Sequence, residues 1–253
     1  MVVEVGLSWA TSVLLCTLRL SAMLMMTPVL DGFGIPTRIK ILLVVGLSVT
    51  SVSALPQIHL FAASDLGALI SSAVGELAIG ALMGFGVMAS FAAFSFAGNL
   101  LDQQFGFGLA NVFDPMTHVQ APLVASIFGL LAVLMFFMVD AHHALLRGFA
   151  YSLEKIPLGS GLQATSVAPL ARQFGLIFSL GLVFAAPVLL SIFLLEIGLA
   201  VISRNLPQMN VLMISPPLKI TCGLALLSLL LPQLGPVFSK IFISIFKFWE
   251  VVL

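Results

Sequence analysis

Residues 77–101 read LAIGALMGFGVMASFAAFSFAGNLL, a run without a single Asp, Glu, Lys or Arg. About twenty predominantly apolar residues suffice for a helix to cross a hydrocarbon core of ~30 Å, so this stretch predicts a membrane-spanning helix. Working outward, residues 41–64, 115–139, 173–195 and 220–239 are equally free of those four residue types, and 5–30 is interrupted only by Arg19. Composition agrees: 60% of the chain is hydrophobic and 8% charged, against about 25% charge in an ordinary soluble domain. A surface built from so little charge must face lipid, other apolar subunits, or both.

The resulting expectation is an all-α membrane protein forming a single unit over 1–253, with about six long, kinked helices near 5–27, 38–55, 65–98, 121–150, 166–203 and 211–248. Several exceed the length that a simple crossing needs, so they must bend, break or leave the bilayer. Pro187 falls in the fifth, and Pro216, Pro217, Pro232 and Pro236 in the sixth. Proline removes a helix hydrogen bond, and in lipid the freed carbonyl needs a protein or water partner. Kinks of this kind argue for burial within an assembly. The positive-inside rule does not orient the chain. With six helices, one side holds Arg147, Lys155, Arg172, Lys240 and Lys247, and the other Arg38, Lys40, Arg204 and Lys219, which is no useful bias.

The zero net charge and scattered basic residues leave no nucleic-acid footprint. Cys16 and Cys222 sit in apolar runs and read as packing thiols. Glu4 stands where a cleavable leader would carry basic residues, so insertion is expected to use uncleaved helices. No repeat of 20–50 residues is visible. Walker, GxSxG and HExxH patterns are absent, and no enzymatic activity, cofactor or metal is expected. His142 and His143 follow Asp140, but adjacent helical residues point about 100° apart, so a helix end is the preferred reading over a metal site.

Three groups of residues stand out. Gly80 and Gly84 form a GxxxG pair, which lets helix backbones approach closely. Arg19, Glu76, Glu196 and Arg204 lie within or at the ends of apolar spans, where charge is expensive and normally paired. Their dispersal favours structural ion pairs over a proton path. Last, residues 98–122, GNLLDQQFGFGLANVFDPMTHVQAP, mix polar groups with Phe105, Phe107, Phe113 and Met116, and Gly106 and Gly108 permit sharp turns. Irregular backbone at membrane depth is tolerated when it is buried in protein or lines a cavity. A loop obstructing a conduit and an ordinary extramembrane loop both fit this composition.

At that segment the chain resembles the FliR family. GNLLDQQFGFGLANVFDP is similar to that family's central block, Arg19 to Lys40 to its N-terminal block, and Ala186 to Leu224 to its C-terminal block, with the core Arg204, Pro207, Gln208, Asn210 and Val211. The resemblance covers nearly the whole chain. It implies a non-enzymatic subunit of the flagellar type III export gate in the bacterial inner membrane, passing unfolded flagellar proteins. FliP-like and FliQ-like subunits are the implied partners, together with FlhB-like and FlhA-like export proteins and membrane lipid. It also implies a FliP-like part over about 1–165, a FliQ-like hairpin over about 166–253, and a pore plug that maps to about 103–121. Two alternatives remain at this point: the homologous gate subunit of a virulence injectisome, and a small-solute secondary transporter with broken helices around a midplane site.

Overall fold

The computed structural model describes residues 6–32, 34–54, 61, 65–107, 122–161, 167–206 and 211–253. Among them every regular element is helical. In chain order these are α1 Leu7–Met25, the single turn α2 Pro28–Asp31, α3 Thr37–Ala54, α4 Leu66–Phe105, α5 Leu123–Met138, α6 Ala141–Lys155, α7 Val167–Asn205, α8 Val211–Leu230, a 3₁₀ turn Leu231–Leu234, and α9 Gly235–Val252. Among the described residues, five helical stretches are long and apolar enough to cross a membrane, or six if α5 and α6 together make one span. The chain is thus an all-α, multi-pass membrane protein.

Three boundaries differ from expectation, each for a local reason. The third expected helix runs on to Phe105 instead of stopping near 98, because Asn99 and its neighbours continue the helix without a breaking Pro until Gly106 turns with φ 82°. The fourth is two helices bent by 71°. Asp140 adopts φ 56° at the break, a left-handed conformation that short polar Asp tolerates better than most residues. Its carbonyl then accepts the His143 N–H at 3.0 Å and so restarts the helix as α6. The sixth is split at Leu231–Leu234, where Pro232 enters a 3₁₀ turn. Pro187, Pro216 and Pro217 stay inside continuous helices.

Contacts group the chain into two compact units. The first comprises Met1–Ser90, Phe136–Gln173 and Phe242–Leu253. Its core combines Leu15, Leu20 and Met23 of α1, Ile79, Met83 and Val87 of α4, and Phe248 and Trp249 of α9, all buried. The second comprises Phe91–Met135 and Phe174–Ile241. It is built on aromatic rings: Phe184 meets Phe128 and Phe238 edge-on at centroid distances of 5.0 and 5.1 Å, and Phe94 stacks on Phe238 at 5.0 Å. Edge-to-face and offset pairs of this kind add about 0.5–1.5 kcal/mol beyond burial. Many large apolar side chains nevertheless remain exposed, including Leu42, Ile70, Leu130, Phe178, Leu190 and Phe193, as a surface turned to lipid or to other apolar proteins requires.

Candidate functional site

The first unit is organised around a fully buried charge. Arg19 on α1 and Glu76 on α4 form an ion pair with Nε 2.5 Å from Oε2, at 0% and 1% side-chain exposure. The remaining donors of Arg19 go to the far end of α6: Nη1 donates to the Ser152 carbonyl at 2.9 Å and Nη2 to the Ile156 carbonyl at 2.9 Å. A cation at the C-terminal carbonyls of a helix is favourably placed against its dipole. The second carboxylate oxygen of Glu76 accepts the Gly159 N–H at 2.9 Å. Gly159 has φ 81°, and a Cβ there would collide with the Phe61 ring. One arginine and one glutamate therefore fasten α1, α4, the end of α6 and the turn behind it. Sequence reading singled out both charges, but not Ser152, Ile156 and Gly159, which contribute backbone groups and, from Ser152, a hydroxyl 3.3 Å from Nη1 that no spacing ties to Arg19.

Gly80 and Gly84 face α1 directly below this pair. A Cβ on Gly80 would strike the Arg19 carbonyl oxygen and lie 2.8 Å from the Ala22 Cβ; one on Gly84 would lie 3.0 Å from the Met23 carbonyl oxygen. The two glycines thus let the Arg19 backbone come close enough for its side chain to reach Glu76.

In the second unit Glu196 of α7 forms an ion pair with Lys219 of α8. The sequence shows Lys219 only as one of the basic residues on one side of the membrane and gives it no partner. Arg204 lies exposed in the last turn of α7, and no described residue pairs with it.

The end of α4 carries the aromatic segment. Phe105 is its last residue and is fully buried. Its ring fills the space left by Gly223, where a Cβ would lie 2.6 Å from Cζ, and it meets Phe107 edge-on at 6.1 Å. Gly106 supplies the turn between them. Asp102, one helical turn earlier, caps the start of α5: its two carboxylate oxygens accept the Val124 and Ala125 N–H groups, each at 2.9 Å. This cap satisfies donors that a helix N-terminus leaves open. The sequence placed Asp102 among loop polar groups; its cap is a contact across 22 residues that no local pattern announces. Gly108, Phe113 and Met116 lie outside the described residues.

Asp140, His142 and His143 come together more closely than the helical angle suggested, with ligand atoms within 4.8 Å of one another. The left-handed turn at Asp140 brings its carboxylate to 3.4 Å from the His143 Nδ1, and both side chains are largely exposed. This is the contact of an acid with the first turn of the helix it precedes.

Residues 10–245 match the family of bacterial export proteins, family 1. The chain is 29% identical over 245 residues to the flagellar biosynthetic protein FliR of Escherichia coli (strain K12), covering 96% of this chain and 93% of that one. It is 32% identical over 171 residues to FliR of Bacillus subtilis (strain 168), covering 66% of each. It is also 33% identical over 147 residues to the Yop proteins translocation protein T of Yersinia pestis, covering 57% of this chain and 56% of the relative. With the match running through the arginine cluster, the aromatic helix end and the α7–α8 ion pair, the chain belongs to the FliR family of bacterial export proteins.

Proposed function

We propose that this chain is a non-enzymatic subunit of a flagellar type III export gate in the bacterial inner membrane. There it joins FliP-like and FliQ-like subunits to form the channel that passes unfolded flagellar proteins, with FlhB-like and FlhA-like proteins beside it. The observation that carries this reading is the near full-length match to flagellar FliR of Escherichia coli. The abundance of exposed large apolar side chains supports it, since a chain of this kind needs lipid and apolar partners. In this reading about 1–165 is the FliP-like part and about 166–253 the FliQ-like hairpin. The segment of about 103–121 then serves as the pore plug, hinged where Gly106 ends α4.

The experiment is deletion of the gene and complementation in its own host. Loss of motility and of exported flagellar subunits from the medium, restored together by the gene, supports the proposal; normal flagella in the deletion strain would overturn it. The match to the Yersinia pestis translocation protein T favours one second reading, an injectisome gate. That reading requires a deletion strain that keeps its flagella and loses secretion of virulence proteins.

A further inference from the structure

α6 and α9 form the walls of an open cavity of about 390 Å³ within the first unit, lined chiefly by Arg147, Gly148, Tyr151, Phe246, Trp249 and Glu250. Its floor is fixed. Gly148 has no side chain, and a Cβ there would lie 2.5 Å from Cε3 of Trp249, so the indole rests on the α6 backbone. The Trp249 Nε1–H donates to the Met83 carbonyl at 3.1 Å, and Phe246 meets the indole edge-on at 5.7 Å. The mouth is different. Arg147, Tyr151 and Glu250 are all exposed, and among the described residues neither Arg147 nor Glu250 has an ion-pair partner. Lys155 lies 5.6 Å from the Tyr151 ring.

The cavity therefore presents an apolar, aromatic interior beneath one separated cation and one separated anion. Tyr and Trp are the residues that settle at headgroup depth in a bilayer, and α9 closes a stretch able to cross one. A volume of this size holds a ligand head and the first carbons attached to it.

We propose that this cavity binds the head of a zwitterionic, ethanolamine-type phospholipid. The guanidinium of Arg147 takes the phosphate, for which its planar fork is suited. Glu250 accepts hydrogen bonds from the primary ammonium, which has three to give, and the first acyl carbons lie against Phe246 and Trp249. A choline head offers no N–H to Glu250. An anionic glycerol head offers Glu250 only neutral hydroxyls and no cation to answer its charge, and free phosphate makes no use of the aromatic floor. The inference goes beyond the export reading and depends only on the chain residing in a membrane.

The test uses the full chain, purified in mild detergent with whatever accompanies it from its own membrane and stripped of lipid by detergent exchange. Dioleoyl phosphatidylethanolamine, phosphatidylglycerol and phosphatidylcholine are added in competition, and retained lipid is read by native mass spectrometry. A charge-assisted hydrogen bond sets the expected preference for the ethanolamine lipid at about tenfold. Glu250→Gln is expected to erase that preference over phosphatidylglycerol, whereas Arg147→Gln lowers retention of all three. Equal retention of phosphatidylglycerol by the unaltered chain, no retained lipid at all, or a preference unchanged in Glu250→Gln overturns the proposal. The competition on the unaltered chain decides even if a variant fails to fold.

Discussion

Arg19 Nε and Glu76 Oε2 lie 2.5 Å apart with neither side chain in contact with solvent. Arg19 donates three further hydrogen bonds to Ser152 and Ile156, and Glu76 accepts one from the Gly159 N–H. Desolvating two charges is costly, and the attraction between them offsets that cost only when the remaining donors and acceptors are also satisfied. Here nearly all of them are, so the pair acts as a unit.

Removing one member should therefore be severe. Arg19→Ala strands the Glu76 carboxylate and two α6 carbonyls, with an expected loss of about 3–5 kcal/mol. Arg19→Lys should recover only part, because one ammonium cannot reproduce the fork that reaches four oxygens, those of Glu76 Oε2, the Ser152 carbonyl and hydroxyl, and the Ile156 carbonyl. Replacing both, as Arg19→Met with Glu76→Leu, should cost clearly less than the two single changes added together. Thermal unfolding in detergent reads these variants, with Arg19→Met and Glu76→Leu each alone, beside the unaltered chain; an Arg19→Ala chain that melts with the unaltered one would contradict this account.

The glycines below that pair make a more geometric prediction. In Gly80→Val the new atoms meet the Arg19 carbonyl and Ala22. Backbone on a neighbouring helix cannot swing aside as a flexible side chain does, so the penalty should reach or exceed the ~1–3 kcal/mol typical of overpacking. Gly129→Val is the control, since nothing lies within 4 Å of a Cβ at that position. Equal melting temperatures for the two variants would show that α1 is not held against α4 at Gly80.

Much of this was legible in the sequence, and the reasons are specific. Long runs without charge announce spans because hydrocarbon excludes charge, so α1, α3, α4 and α7 fall close to where 5–27, 38–55, 65–98 and 166–203 placed them. Arg19 and Glu76 stood out for the same reason. The break at Asp140 did not, because a left-handed residue inside an apolar pattern leaves no trace in periodicity. Likewise the Asp102 cap, the Gly223 cradle for Phe105 and the Lys219 partner of Glu196 are long-range contacts. Composition and spacing carry no record of which distant residue will arrive.

For Glu196 and Lys219 the prediction is reciprocal. An unpaired charge near the centre of a membrane helix costs about 2.5–3.5 kcal/mol, so Glu196→Lys and Lys219→Glu, each leaving two like charges together, should both reduce the amount of inserted chain. Combining them restores opposite charges across α7 and α8 and should return most of the yield. Membrane-fraction immunoblots of the three variants measure this. Failure of the combined variant to exceed either single one would mean that the two residues serve separate contacts.

The last prediction concerns the proposed plug, and the packing of Phe105 determines how it must be tested. A protein-wide channel has to stay shut to ions at rest, because each elementary charge is driven by ~2.3 kcal/mol per 100 mV, and an apolar constriction blocks ions by excluding water. Phe105 is fully buried against the Gly223 position, and truncating a buried Phe to Ala costs about 3–5 kcal/mol. Changing it would confound a leak with a folding defect, so it is left in place. Phe107→Ala, Phe113→Ala and Met116→Ala combined should leave the gate assembled and make it leaky, whereas Gly223→Ala, which presses on Phe105, should impair folding instead. Ion conductance of the reconstituted gate, or growth inhibition by small toxic solutes in cells expressing it, measures the leak, and co-purification of its partners measures assembly. An assembled triple variant that conducts no more than the unaltered gate would remove the plug role and leave the segment after α4 as packing.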